Sequence, residues 1–200
     1  MTRTIGIFVF DQVEVLDFAG PYEVFTCASR VAASSTPHAP APFKVVTIGR
    51  GAAMLRARAG LSVLPEASFT DAPALAVLIV PGGVVEAEMA KPDVIAWIAA
   101  MAARCELVAS VCTGALLLAQ AGLLDGKDAT THRDDLAQLR ALFPRVNVHA
   151  ERRWIDQGDV VTSGGISAGI DMSLHLVERL AGRALALATA RQMEYDWSAA

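Results

Sequence analysis

The chain has 200 residues, of which 54% are hydrophobic and 19% charged, with a formal net charge of -4. This composition excludes an intrinsically disordered chain, and a pI near 5.5 argues against a basic nucleic-acid binder. Mean hydropathy is positive, at +0.41, but the longest apolar runs, 74–81 and 115–119, fall far short of the roughly 18–20 residues a spanning helix needs.

Residues 4–10 form an apolar, β-rich run that predicts a first strand. The start of the chain has one basic residue, no apolar core of signal-peptide type and no cleavage site, so it reads as that strand and not as a leader. Residues 11–19 read as a loop, and Gly20-Pro21 as the opening of a helix to about residue 32. Residues 33–42 are rich in Ser and Pro and predict a loop. Residues 43–49 predict a second strand, and 54–57 with 61–64 a small hairpin around Arg58-Ala59-Gly60.

Residues 75–80 are a continuous apolar run ending at Pro81-Gly82-Gly83, the pattern of a doubly buried parallel strand. Lys91-Pro92 starts a helix carrying Val94, Ile95, Ile98 and Met101. Another buried strand, 106–111, runs straight into Cys112-Thr113-Gly114 and an apolar helix to Gly122. Short strands are expected at 128–131 and 146–148, with an amphipathic helix over 134–143. Residues 154–156 and 160–163 predict a hairpin. Ser167 is expected to cap a helix ending near Gly182, and 183–195 to form the last one. Alternation of strands and helices predicts one α/β domain over 1–200, a mostly parallel sheet with helices on both faces.

The strongest chemical signal is the run from Val108 to Leu118. A buried strand ends, a cysteine stands at the turn, and a helix begins at once. This is the elbow that α/β enzymes use to present a nucleophile, with Gly114 relieving the crowded turn. The helix N-terminus is expected to favour a thiolate at Cys112. Cys27, mid-helix, and Cys105, behind the elbow strand, read as structural. Three cysteines without a CxxC pair favour a reducing, cytoplasmic setting. Gly82 and Gly83, after a neighbouring buried strand, are expected to aim backbone N–H groups at developing negative charge. Asp17, amid apolar neighbours, is a carboxylate suited to acid/base work beside a thiol. Glu23 competes for that role, and Glu14 reads as solvated. His132 is a possible accessory base; His38, His149 and His175 show no ligand spacing, and no metal motif occurs.

In order along the chain, Leu16-Asp17-Phe18-Ala19-Gly20-Pro21, Val80-Pro81-Gly82-Gly83, Ser110-Val111-Cys112-Thr113-Gly114, Ala129-Thr130-Thr131-His132 and the run from Thr162 to Asp171 resemble the ThiJ/PfpI superfamily. The likeness spans about residues 4–196 and is strongest to its isocyanide hydratase branch. It implies a flavodoxin-like three-layer sandwich and usually a homodimer. By motif, Cys112 is the implied nucleophile, Asp17 its acid/base partner and Thr113 a hydrogen-bonding neighbour of the thiolate. Gly82 and Gly83 are the implied backbone donors. Thr113 stands where peptidase-like members carry His, which argues against that branch.

The implied activity is cofactor-independent addition of water to a small electrophile, isocyanide to N-substituted formamide. The alternatives are a redox or ligand sensor of the same fold, and glyoxalase or deglycase chemistry on small α-oxoaldehydes. Partners are expected to be a small-molecule substrate and a second copy of the chain, with no nucleic acid and no membrane. Val13, Val15, Phe18, Tyr22 and Phe25 are the residues expected at the two-fold contact.

Overall fold

A computed structural model of the chain describes residues 1–36 and 39–197. His38 and part of the Ser/Pro loop lie outside the described residues. In chain order the elements are β1 Arg3–Phe8, α1 Val15–Ser35, β2 Phe43–Gly49, β3 Leu55–Arg56, β4 Ser62–Val63, β5 Ala67–Ser68 and β6 Val77–Val80. Next come α2 Glu86–Met89, α3 Pro92–Ala102, β7 Leu107–Val111, α4 Gly114–Gln120, β8 Asp128–Ala129, α5 Leu136–Leu142 and β9 Asn147–Val148. The chain then forms β10 Trp154–Asp156, β11 Val160–Ser163, α6 Ala168–Ala181 and α7 Arg183–Gln192.

Seven strands form one sheet in the order β10-β11-β7-β6-β1-β2-β5. All its pairings are parallel except β10 with β11. Setting aside the short edge strands β5 and β10, the order is second, first, third, fourth, fifth, that of flavodoxin-like doubly wound sheets. Helices α1, α6 and α7 pack together in one layer and α2, α3 and α4 in another. Strands β6 and β7 are buried at every position, as strands covered on both faces must be. Between the layers lie Ile5, Ile7, Leu78, Ile79 and Leu116 to Leu118.

The hairpin of β3 and β4 folds as expected, and so does that of β10 and β11. Three expectations are corrected. Helix α1 begins at Val15, not at Gly20, and Pro21 lies inside it. Pro21 has no N–H to give the Asp17 carbonyl, but burial of Phe18, Val24, Phe25 and Ala28 outweighs that single missing bond. Asp17 therefore stands in the first turn of a helix. Ser167 occupies the N-cap position of α6 without a side-chain capping bond. Val13, Phe18 and Phe25 fill this chain's own core, so they are not free for a two-fold contact; only Val15 and Tyr22 of that set stay partly exposed.

Candidate active site

The carboxyl ends of four adjacent strands converge on one point. Asp17 follows β1, Gly82 and Gly83 follow β6, Cys112 follows β7, and Ile166 follows β11. Ligands of open α/β sheets bind outside this edge, where the order of connection reverses.

Cys112 sits on the elbow with φ at 57°, the left-handed region that ordinary residues rarely enter. The turn is held from several sides. Cys112 N–H donates to the carbonyls of Ser163 and Gly164, at 3.3 and 3.2 Å, and its own carbonyl accepts the Thr131 hydroxyl at 2.8 Å. Gly114 lies so close to the Val80 carbonyl that a Cβ there would overlap it. The strain is thus fixed by neighbours, the condition under which strained residues persist.

Asp17 is 0% exposed. Its Oδ2 accepts the Gly82 N–H at 3.0 Å. Its Oδ1 is buried without a partner of ordinary hydrogen-bond geometry, and the Cys112 thiol is the side chain beside it that acts on the carboxyl as a hydrogen-bonding group. Burial raises the Asp17 carboxyl to about 7, against the downward pull of the Gly82 amide. Burial pushes the Cys112 thiol up to about 12, and the Asp17 charge adds to the effect. The expected low thiol is therefore corrected. Helix α4 is only seven residues long, and its N-terminus does not offset desolvation and a carboxylate neighbour. The resting site holds a thiol beside a carboxyl that changes charge near neutral pH.

The amides that face the sulfur are those of Thr113 and Ile166. Gly82 and Gly83 do not present an open donor pair. Gly82 N–H is taken by Asp17, and Gly83 N–H by Thr113 Oγ1 at 2.9 Å. Both glycines hold the Asp17 and Thr113 side chains in place instead. Ile166 adopts φ of 48°, which turns its N–H towards Cys112. Sequence reading missed it, although its place after a strand end was a usable signal.

A cavity of about 250 Å³ opens over Cys112 and Thr113, with His132, Asp135 and Ile166 on its walls. His132 thus reaches the site. Its Nδ1 lies 3.3 Å from Asp135, and its ring packs closely against Gly165. Glu14, expected to be solvated, also lines the cavity and faces Arg58 at 3.6 Å. Glu23 is elsewhere: it is exposed and bound to Arg30 at 2.6 Å. Of the two carboxylates left open by the sequence, Asp17 is the one beside the sulfur. Among the described residues, no group of three or more His, Cys, Asp or Glu is placed to hold a metal ion, and no helix is long and apolar enough to cross a membrane.

A flavodoxin-like sheet with a cysteine elbow and a carboxyl beside it defines a class of α/β proteins built around one cysteine at the sheet's carboxyl edge. The chain belongs to the DJ-1/PfpI family, whose model matches residues 3–179. It is 36% identical over 198 residues to an isonitrile hydratase of Pseudomonas putida, covering 98% of this chain and 79% of that protein. It is 30% identical over 194 residues to the HTH-type transcriptional regulator GbdR of Pseudomonas aeruginosa, covering 97% of this chain but 51% of that protein. Among solved structures, a ThiJ/PfpI family protein from Pseudomonas syringae superposes with a TM-score of 0.83 at 29% identity, over 99% of this chain and 77% of that one. Drosophila melanogaster DJ-1beta shares the fold, with a TM-score of 0.82 at 20% identity over 98% of this chain and 100% of that one.

Proposed function

We propose that this protein is a cysteine-dependent hydratase that converts a small isonitrile to its N-substituted formamide. The observation that carries the reading is the buried pair of Asp17 and Cys112. The terminal carbon of an isonitrile must receive a nucleophile and a proton on the same atom. A thiol beside a carboxyl of pKa about 7 delivers both from one place. Likeness to an isonitrile hydratase over 98% of the chain supports it.

As Cys112 Sγ bonds to the carbon, Asp17 takes the thiol proton and passes it to that same carbon, giving a thioimidate, R–N=CH–S–Cys112. The Thr113 and Ile166 amides stabilise the sulfur while it carries charge. Water then adds to the thioimidate carbon, Asp17 relays a proton, and the C–S bond breaks. The products are R–NH–CHO and the free thiol, and the sum is isonitrile plus water. No electrons are exchanged with any other group. The test is formamide production from simple alkyl and aryl isocyanides by wild type and Cys112→Ala. Turnover by wild type alone is expected; a folded wild type that converts none of them sinks the reading.

A second reading, a ligand-sensing domain, is favoured by the likeness to GbdR, although the chain spans about half that protein's length. Saturable ligand binding at Cys112 without turnover of isocyanides or α-oxoaldehydes supports it over catalysis. With either reading we propose a homodimer of cytoplasmic setting. Light scattering is expected to give a mass near twice the chain's 21.1 kDa, and the single-chain mass overturns the dimer.

A further inference from the structure

Every charged side chain that raises the Cys112 thiol is an acid: Asp17 first, then Asp135. The cavity above continues the pattern. Glu14, Glu86, Asp134 and Asp135 line it, against Arg58 and His132. Arg58 is turned to Glu14 at 3.6 Å, and His132 to Asp135 at 3.3 Å and Asp134 at 3.7 Å. Glu86 makes no ion pair among the described residues. Behind the cavity wall, buried Asp17 keeps an oxygen, Oδ1, without a hydrogen-bond partner. Its other oxygen is spent on Gly82, and the Cys112 thiol is the side chain that acts on the carboxyl as a hydrogen-bonding group.

We propose that the pocket above Cys112 selects a small electrophile bearing a positively charged nitrogen. This rests on the reading of Cys112 as the attacking group and names the substrate class for it. A carboxylate-lined cleft concentrates cations and repels anions. A bound cation also brings positive charge to the sulfur, favouring the thiolate at the moment of attack. A neutral substrate gains neither effect, and an anionic one meets repulsion from the rim and from Asp17 beneath it. A cavity of about 250 Å³ suits a compact ligand, with its cationic head near Glu86 and its reactive carbon at the sulfur.

The experiment compares two methanethiosulfonate reagents of similar size, one ending in trimethylammonium and one in sulfonate. The rate of modification of Cys112 is followed by mass spectrometry of its peptide, and each rate is normalised to that of β-mercaptoethanol. The cationic reagent is expected to be favoured by roughly tenfold or more at low salt. The preference should shrink in 1 M NaCl and in Glu86→Gln/Asp134→Asn, whose exposed sites tolerate substitution. Equal or reversed rates overturn the proposal, as does a preference the double variant leaves unchanged, or a Cys112 that neither reagent reaches. Turnover is measured separately with cationic, neutral and anionic isocyanides. A charge preference in thiol modification with no isocyanide converted keeps the pocket's selectivity and rejects the hydratase reading instead.

Discussion

Thr113 and Gly83 are bonded to each other twice through one hydroxyl. Gly83 N–H donates to Thr113 Oγ1 at 2.9 Å, and the same oxygen donates its proton to the Gly83 carbonyl at 3.0 Å. Gly83 itself has φ of +140°, a conformation open to glycine alone. The pair ties the end of β6 to the elbow after β7. Because the neighbouring Gly82 amide holds Asp17, it also sets the carboxyl against the sulfur.

Thr113→Val keeps the shape of the side chain and removes both bonds, leaving a part-buried N–H and C=O unpaired. Each unpaired group costs about 1–3 kcal/mol. The variant is expected to unfold at lower urea concentration, with a loss of up to about 6 kcal/mol for the two groups together, and to lose kcat more than it raises KM, because the Asp17–Cys112 geometry loosens. A Val variant as stable and active as wild type contradicts this role.

Gly165 is a second point of close approach, since a Cβ there would overlap Cδ2 of His132. Gly165→Ala should push the imidazole away from its contact with the Asp134 N–H, at a cost of about 1–3 kcal/mol from overpacking. In the double variant Gly165→Ala/His132→Ala the added methyl finds room, so the two losses should not add. Thermal melts of the four proteins check this, and strict additivity refutes it.

Much of this arrangement was legible in the sequence because buried strands announce themselves. The runs at 75–80 and 106–111 have no polar face, and the residues just after each run must lie at the sheet's carboxyl edge. That logic found Cys112, Gly82 and Gly83. It failed where direction matters more than position. Strand ends do not say which way an amide turns, so the donors assigned to Gly82 and Gly83 belong to Thr113 and Ile166. Gly20-Pro21 has the look of a helix start, and it hid the turn that carries Asp17. Pairing decided the rest. Glu23 is spent on Arg30 across one face of α1, and Glu14 turns to Arg58 at the pocket, contacts that involve side-chain geometry absent from the chain's pattern.

The proposed proton relay sets a pH profile. Attack uses Asp17 as the base, so the active form has the carboxylate charged and the thiol protonated. With Asp17 near 7 and Cys112 near 12, log kcat/KM should rise with unit slope below about pH 7 and level off above it. The apparent value belongs to the coupled pair. Asp17→Asn is expected to abolish the rising limb and lower the rate by roughly 10²–10⁴-fold. A wild-type profile that is flat from pH 5 to 9 rules out this role for Asp17.

The same carboxyl leaves a signature in stability that does not depend on any substrate. Its pKa is raised in the folded state, from an ordinary 3.8 to about 7. Below about pH 4 both folded and unfolded chains hold the proton, and the buried group costs nothing in charge. Between about pH 4 and 7 the unfolded chain releases the proton while the folded chain keeps it, so stability falls as pH rises, by up to about 4 kcal/mol in all. Above about pH 7 the folded chain releases it too and the penalty stops growing. Asn at position 17 has no proton to lose, and its side-chain oxygen still accepts the Gly82 N–H. The stability of Asp17→Asn relative to wild type should therefore climb from pH 4 to 7 and then stay level, most of the other titrating groups cancelling in the comparison. Urea unfolding of both proteins at pH 4, 5.5, 7 and 8 measures it. A difference that does not vary with pH shows that Asp17 titrates in the folded protein as it does in water, and the neutral thiol–carboxyl pair is then abandoned.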